Sequence, residues 1–145
     1  MINKIFSLNP LSSDLAALML RLIFGGLFIY YGYSKIAAYD QILPYFKDVI
    51  GIGSKLSFNL VIFAEFFCGF LVAVGLLTRI SVIPIFITMA VAFFIAHAND
   101  TFQVKNLAFD YLLLSIVVFV TGSGKYSLDR LIFKKKSGRS ELAGH

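Results

Sequence analysis

Three ionisable residues stand inside stretches of sequence that otherwise read as hydrocarbon. Arg21 lies in LAALMLRLIFGGLFIYYG (15–32), Glu65 in LVIFAEFFCGFLVAVGLL (60–77) and Asp110 in LAFDYLLLSIVVFV (107–120). A charge at the centre of a bilayer costs at least ~2.5 kcal/mol on insertion scales, so such residues persist when paired or put to use. A second polar set gathers at segment ends: Lys35 closes the first segment, His97 and Asn99 the third, and Asn106 and Asp110 open the fourth. An up-down arrangement brings these to one membrane face, where with Glu65 they would line a polar pocket. Glu65, His97 and Asp110 are then candidates for proton transfer to a bound ligand. Arg21 and Lys35 would stabilise negative charge on it, and Asn106 would help bind it. Plainer roles compete. Lys35 can snorkel to headgroups, His97 can sit satisfied at the interface, Asp110 can cap or pair locally, and Glu65 can serve in a packing salt bridge. Phe66, Phe67, Phe93 and Phe94 read as packing or lipid contacts.

Composition says what solvent these elements meet. The 145 residues are 59% hydrophobic, with a mean hydropathy of +0.84, whereas soluble domains sit near ~45–50% apolar. A chain this small cannot hide that much apolar surface in one core. Cys68 is the single cysteine, and the histidines are His97 and His145. An internal disulfide, a CxxC pair and a cysteine zinc site are therefore excluded, and no metal centre is expected. There is no ligand set for haem or an iron–sulfur cluster, so no residue here can itself carry electrons. The net charge of +5 owes much to Lys134, Lys135, Lys136 and Arg139. That basic tail suits anionic lipid headgroups better than nucleic acid.

Four segments approach the ~20 apolar residues that a spanning helix needs: about Leu15–Ile36, Leu56–Leu77, Ile80–Ala98 and Leu107–Gly122. The first is too long for a cleaved signal and lacks a small-residue cleavage site. Ser12 or Ser13 can cap it, with Asp14 in the first turn. Tyr39–Lys55 is amphipathic, and Pro44 and Gly51-Ile52-Gly53 suggest a short interfacial helix and a turn. Only Thr78 and Arg79 join the second and third segments, which makes a tight hairpin. The expected fold is an all-α integral membrane protein: an antiparallel four-helix bundle over residues 1–133, followed by a basic cytoplasmic tail, 134–145. Lys4, Arg79, Lys125, Arg130, Lys134, Lys135, Lys136 and Arg139 fall on one side, and Lys35, Lys47, Lys55 and Lys105 on the other. Eight against four places both termini in the cytoplasm.

Helical periodicity puts Asp14, Arg21, Gly25, Phe28, Gly32 and Lys35 on one stripe, within about 80° of one another. Glu65, Gly69, Val72 and Leu76 form another. Small residues beside charges suit close helix approach. At ~1.5 Å per residue Arg21 lies ~10 Å from the inner end of its helix and Glu65 ~17 Å from that boundary. An arginine spans the ~7 Å gap, so the depths predict an Arg21–Glu65 pair and make Lys35 the poorer partner.

The chain resembles the DoxX family of small four-helix bacterial membrane proteins. The resemblance rests on LMLRLIFGGLFIYYGYSKI, AEFFCGFLVAVGLLTRI, the histidine of FFIAHAND, the acid of NLAFDYLLLS and GSGKYSLDRLI, in that order over about Leu15–Ile132. It implies functional positions at Arg21, Lys35, Glu65, Arg79, His97 and Asp110. Tyr31 stands where the family often carries histidine, and joins the candidate binding residues. Asp110 stands where a glutamate is usual. The family takes its name from a subunit linked to thiosulfate:quinone oxidoreduction. The resemblance therefore implies an inner-membrane subunit associated with oxidoreduction, with a quinone or a small reduced-sulfur species as its candidate ligand, no covalent cofactor, and other membrane or redox proteins or further copies of itself as partners. A non-catalytic scaffold subunit and a small proton-coupled transporter are the alternatives.

Overall fold

The computed structural model describes residues 12–134, and within them the chain is helical with short connections. Helix α1 spans Ser13–Ala37. The Ser12 hydroxyl accepts from the Leu15 N–H at 3.1 Å, Asp14 occupies the first turn and Lys35 the last, so both ends complement the helix dipole. Helix α2 is a single turn, Tyr39–Ile42, running into a 3-10 turn at Leu43–Tyr45 that contains Pro44. The expected interfacial helix is thus shorter than the amphipathic stretch. From there to α3 the chain is organised by Asp48. Its carboxylate accepts from the N–H groups of Gly51, Ile52 and Gly53 and from the Ser57 hydroxyl.

Helix α3 covers Ser54–Val74 and α4 covers Thr78–Ala96. Gly75, at φ +76°, and Leu77, at φ +48°, make the turn between them. Each helix contains a π-helical stretch, Phe63–Cys68 in α3 and Ala92–Ala96 in α4. Helix α5 covers Phe102–Thr121, starting five residues before the expected Leu107 because Gln103, Lys105 and Asn106 are helical despite their polarity. After Gly122 the chain turns into a last helix, α6, at 128–134. Lys135, Lys136, Arg139 and the rest of the predicted basic tail lie outside the described residues, as does Lys4.

The four long helices are each long and apolar enough to cross a membrane. They alternate in direction, which creates a tight-turn end (Gly75, Gly122 and α6) and a loop end (residues 38–53 and 97–101). Helices α1 and α3 pack closely. A methyl group at Gly25 would lie 2.6 Å from the Gly69 carbonyl oxygen, and one at Gly32 would lie 2.5 Å from the Phe66 nitrogen. Helix α4 covers α3, and α5 packs mainly on α4, meeting α1 through Tyr111. Phe24, Phe28, Val72, Val82, Ile85, Tyr111 and Val118 fill the centre. The outward faces are apolar as well, from Leu22 and Ile23 to Phe119 and Val120, as lipid requires. The chain is an all-α integral membrane protein.

Candidate functional site

Glu65 sits in the π-helical stretch of α3, and its carboxylate meets the Lys35 ammonium at 2.5 Å. The Glu65 side chain is 6% exposed and that of Lys35 27%, so the carboxylate is buried and the ammonium partly exposed. Tyr31, one turn before Lys35, places its ring 6.0 Å from the ammonium. Tyr31 also stands edge-on to Tyr111 at 6.0 Å, and Tyr111 packs edge-on against Phe28 at 5.0 Å. The result is a cation–anion pair between α1 and α3 with the Tyr31 ring beside the ammonium, and Tyr111 of α5 packed behind Tyr31. A π-helical turn widens the helix and re-aims its side chains, and such turns recur at functional sites.

The predicted Arg21–Glu65 pair does not form. Arg21, 1% exposed, donates from Nη1 to the Ala73 carbonyl at 3.2 Å and from Nη2 to the Tyr126 carbonyl. Its Nε has no partner among the described residues. Side-chain direction explains the difference. Every helical side chain leans toward its own N-terminus. Helix α1 starts at the tight-turn end, so Arg21 and Lys35 both lean that way. Helix α3 starts at the loop end, so Glu65 leans toward the loops. Arg21 therefore reaches away from Glu65, while Lys35 and Glu65 reach toward each other. Gly32 packed against Phe66 fixes that register.

The wider polar pocket is not assembled either. His97 Nδ1 pairs with the Asp100 carboxylate at 2.7 Å, in an exposed position. Asn106 and Asp110 are exposed. At 100° per residue they lie on the side of α5 opposite the buried Tyr111, Leu112, Ser115 and Val118. No hydrogen bond or ion pair among the described residues joins His97, Asn106 or Asp110 to Glu65. Lys35, Tyr31 and Glu65 are brought together; Arg21, His97, Asn106 and Asp110 are not. No cluster of metal-ligating residues occurs among the described residues.

Sequence reasoning passed over Tyr111, whose neighbour Asp110 drew attention instead. It also passed over the knot at the tight-turn end. There the Asp129 carboxylate accepts from the Leu77 N–H at 2.8 Å and from the Ser123 hydroxyl, and Ser123 also reaches Thr78. The motif GSGKYSLDRLI was the available signal: it supplies Ser123, Asp129 and the Tyr126 carbonyl that holds Arg21. Asp48 was missed as well. Outside the spans, its hydrogen bonds, the Gly53 N–H foremost, hold its carboxyl below the usual carboxylate range against a smaller opposing effect of burial.

An antiparallel four-helix membrane bundle with one buried lysine–glutamate pair is the class of protein defined here. Comparison with known proteins agrees. The DoxX family profile matches residues 16–98, and the chain belongs to that family. It is 35% identical over 130 residues to a Bacillus subtilis protein named "Putative oxidoreductase CatD", covering 88% of this chain and 95% of that one. It is 33% identical over 130 residues to the inner membrane protein YqjF of Escherichia coli, covering 84% and 95%. A Mycobacterium tuberculosis membrane protein without assigned function is 30% identical over 141 residues, covering 83% of each. No solved structure matches the chain significantly.

Proposed function

We propose that this protein is a membrane subunit of an oxidoreductase system, and that Lys35 and Glu65, with Tyr31 and Tyr111, form the site at which it binds a quinone or a small reduced-sulfur species. The Lys35–Glu65 pair carries the reading. Ionisable residues inside a membrane are costly and mark functional sites by default. Here the carboxylate is buried, the ammonium beside it is partly exposed, and the Tyr31 ring lies 6.0 Å from that ammonium. A carbonyl or sulfur-oxyanion oxygen arriving from the loop end meets the ammonium first. Lys35 donates a hydrogen bond to it and offsets developing negative charge. Glu65, behind Lys35, holds or returns a proton. Electrons come from a partner protein or from the sulfur species itself. The name of the Bacillus relative points to the same class of chemistry. The Lys/Arg balance puts the tight-turn end in the cytoplasm, so the pair lies nearer the outer face of the inner membrane.

The subunit reading, and with it the rival of a non-catalytic scaffold, draws on Asp110. It lies ~5 Å along α5 from Leu107, where the apolar run begins, and faces outward. A carboxylate at that depth calls for a polar or cationic surface on a neighbouring protein or a further copy of the chain. The test is purification from native membranes in mild detergent, with bound small molecules and co-purifying proteins identified by mass spectrometry. A short-chain quinone and thiosulfate are then titrated in. The proposal expects the wild type to bind one of them, with Glu65→Gln and Lys35→Met at least about tenfold weaker, the loss typical of one charged hydrogen bond. Equal binding by the variants rejects the site. Unchanged activity of the assembled complex with Glu65→Gln supports the scaffold instead.

A further inference from the structure

Away from the lysine–glutamate pair, the tight-turn end carries a second arrangement without an assigned role. Helix α6 is pinned to the bundle. The Asp129 N–H donates to the Gly75 carbonyl at 3.0 Å while its carboxylate holds Leu77 and Ser123. Asp14 accepts from the Lys125 N–H at 2.9 Å, and the Ser127 hydroxyl accepts from the Arg130 N–H at 3.3 Å to cap the helix. On this frame an open groove of about 470 Å³ is lined by Lys125, Tyr126, Arg130, Leu131 and Lys134.

Among the described residues, the cations of the groove have no ion-pair partner. Lys125, Arg130 and Lys134 are all exposed. The acids of this region, Asp14 and Asp129, are occupied by backbone N–H groups and a hydroxyl. Arg130 and Lys134 stand one turn apart on α6, and the Lys125 ammonium lies 5.9 Å from the Tyr126 ring. Leu128, Leu131 and Ile132 make an exposed apolar face beside them. The helix is thus amphipathic, fixed in orientation, and reached six residues after Gly122 ends the last span. At that depth the groove meets the headgroup layer.

We propose that this groove is a binding site for an anionic phospholipid, with Lys125, Arg130 and Lys134 around its phosphate and Tyr126 and Leu131 against its glycerol and upper acyl chain. Three cations answer a negative headgroup, and apolar walls answer a lipid rather than free phosphate. Because Tyr126 also supplies the carbonyl that holds Arg21, lipid occupancy also braces the buried end of α1.

The test uses the full chain in neutral detergent, with short-chain phosphatidylglycerol titrated in and retained lipid counted by native mass spectrometry. Phosphatidylcholine and inorganic phosphate serve as controls. Surface cations contribute roughly fivefold each to anionic-lipid affinity, so K125Q/R130Q/K134Q should bind about 100-fold more weakly. The charge-keeping K125R/R130K/K134R should bind as the wild type does, and K135Q/K136Q/R139Q should lose distinctly less affinity than the groove variant. Wild-type affinity in the groove variant, an equal loss in the tail variant, phosphatidylcholine bound as tightly, or competition by millimolar phosphate would each overturn the proposal.

Discussion

The two ends of the bundle handle a buried charge in opposite ways. At the tight-turn end Arg21 is held by main-chain carbonyls of two separate segments, in a space that Gly75 leaves open. Midway along α3, Glu65 is held by one flexible lysine that reaches it from the loop end of α1. Backbone acceptors cannot follow a side chain that moves, whereas a lysine can swing away and return. The comparison separates a charge built into the architecture from one that can exchange partners. It marks Arg21 as a structural charge and is what the proposed role of the Lys35–Glu65 pair requires.

Breaking the first half of the comparison should have the largest effect. Arg21→Ala empties a fully buried site and strips donors from two carbonyls, which should cost at least ~3 kcal/mol. Thermal unfolding in detergent would show it, along with a loss of monodisperse protein. Wild-type stability would mean that the knot is not what holds this end. Gly75→Ala should follow. Its φ of +76° disfavours a side chain, and the added methyl would lie 2.2 Å from Arg21 Nη1 and 2.6 Å from Ser127 Cβ. About 2 kcal/mol is expected from backbone strain and crowding together.

The sharpest test of the second half is a charge swap. Lys35→Glu and Glu65→Lys should each lower stability by ~1–3 kcal/mol, and the double swap should recover much of it, because the partners are restored in each other's reach. The corresponding exchange of Arg21 with Glu65 should recover nothing. A rescue there would reinstate the pairing that depth alone suggests.

Which features were legible in the sequence follows the same division. The four spans, the tight hairpin and the α1 stripe with its glycines could be read because apolar runs and helical spacing record them directly. The pairing was misread because depth was counted along helix axes, while Lys35 and Glu65 each reach several ångströms toward the other and Arg21 reaches away. Antiparallel helices turn that lean into opposite displacements, so the error was built into an axis-only count. The outward placement of Asp110 was hidden for another reason. Helix α5 carries a short polar stripe of Gln103, Asn106 and Asp110, and ionisable residues in a span usually face the bundle interior, so the pattern pointed the wrong way; packing of Tyr111 against Phe24 and Phe28 decides. The Tyr126 carbonyl that satisfies Arg21 has no side-chain signature at all.

His97 supplies a contrast within the loop end. Its pair with Asp100 is exposed on both sides and three residues apart, so His97→Gln should change stability by less than about 0.5 kcal/mol. Short-chain quinone binding should also survive it, since nothing joins His97 to the Lys35–Glu65 pair. A loss as large as that of Glu65→Gln would extend the site to the end of α4.

The smallest effect concerns Asp48, which organises the entry to α3 with four donors on one carboxylate. Its folded-state carboxyl titrates below the ordinary value, so its contribution is fully present above that value and is lost as pH falls through the depressed one. Hydrogen-exchange protection of the Gly51, Ile52 and Gly53 amides, corrected for intrinsic rates, should therefore hold through neutral and mildly acidic pH and collapse only under stronger acid. Asp48→Asn should lower that protection at neutral pH and remove its pH dependence, because an amide presents one acceptor oxygen where the carboxylate presents two. The four spans should keep their own protection throughout. Loss of protection across α3 at the same pH would mean that the loop and the Lys35–Glu65 pair unfold as one unit. In that case the lysine would be held by the loop above it as well as by the glutamate, and the contrast between a rigid end and an exchangeable one would have to be drawn inside α3 rather than between the two ends of the bundle.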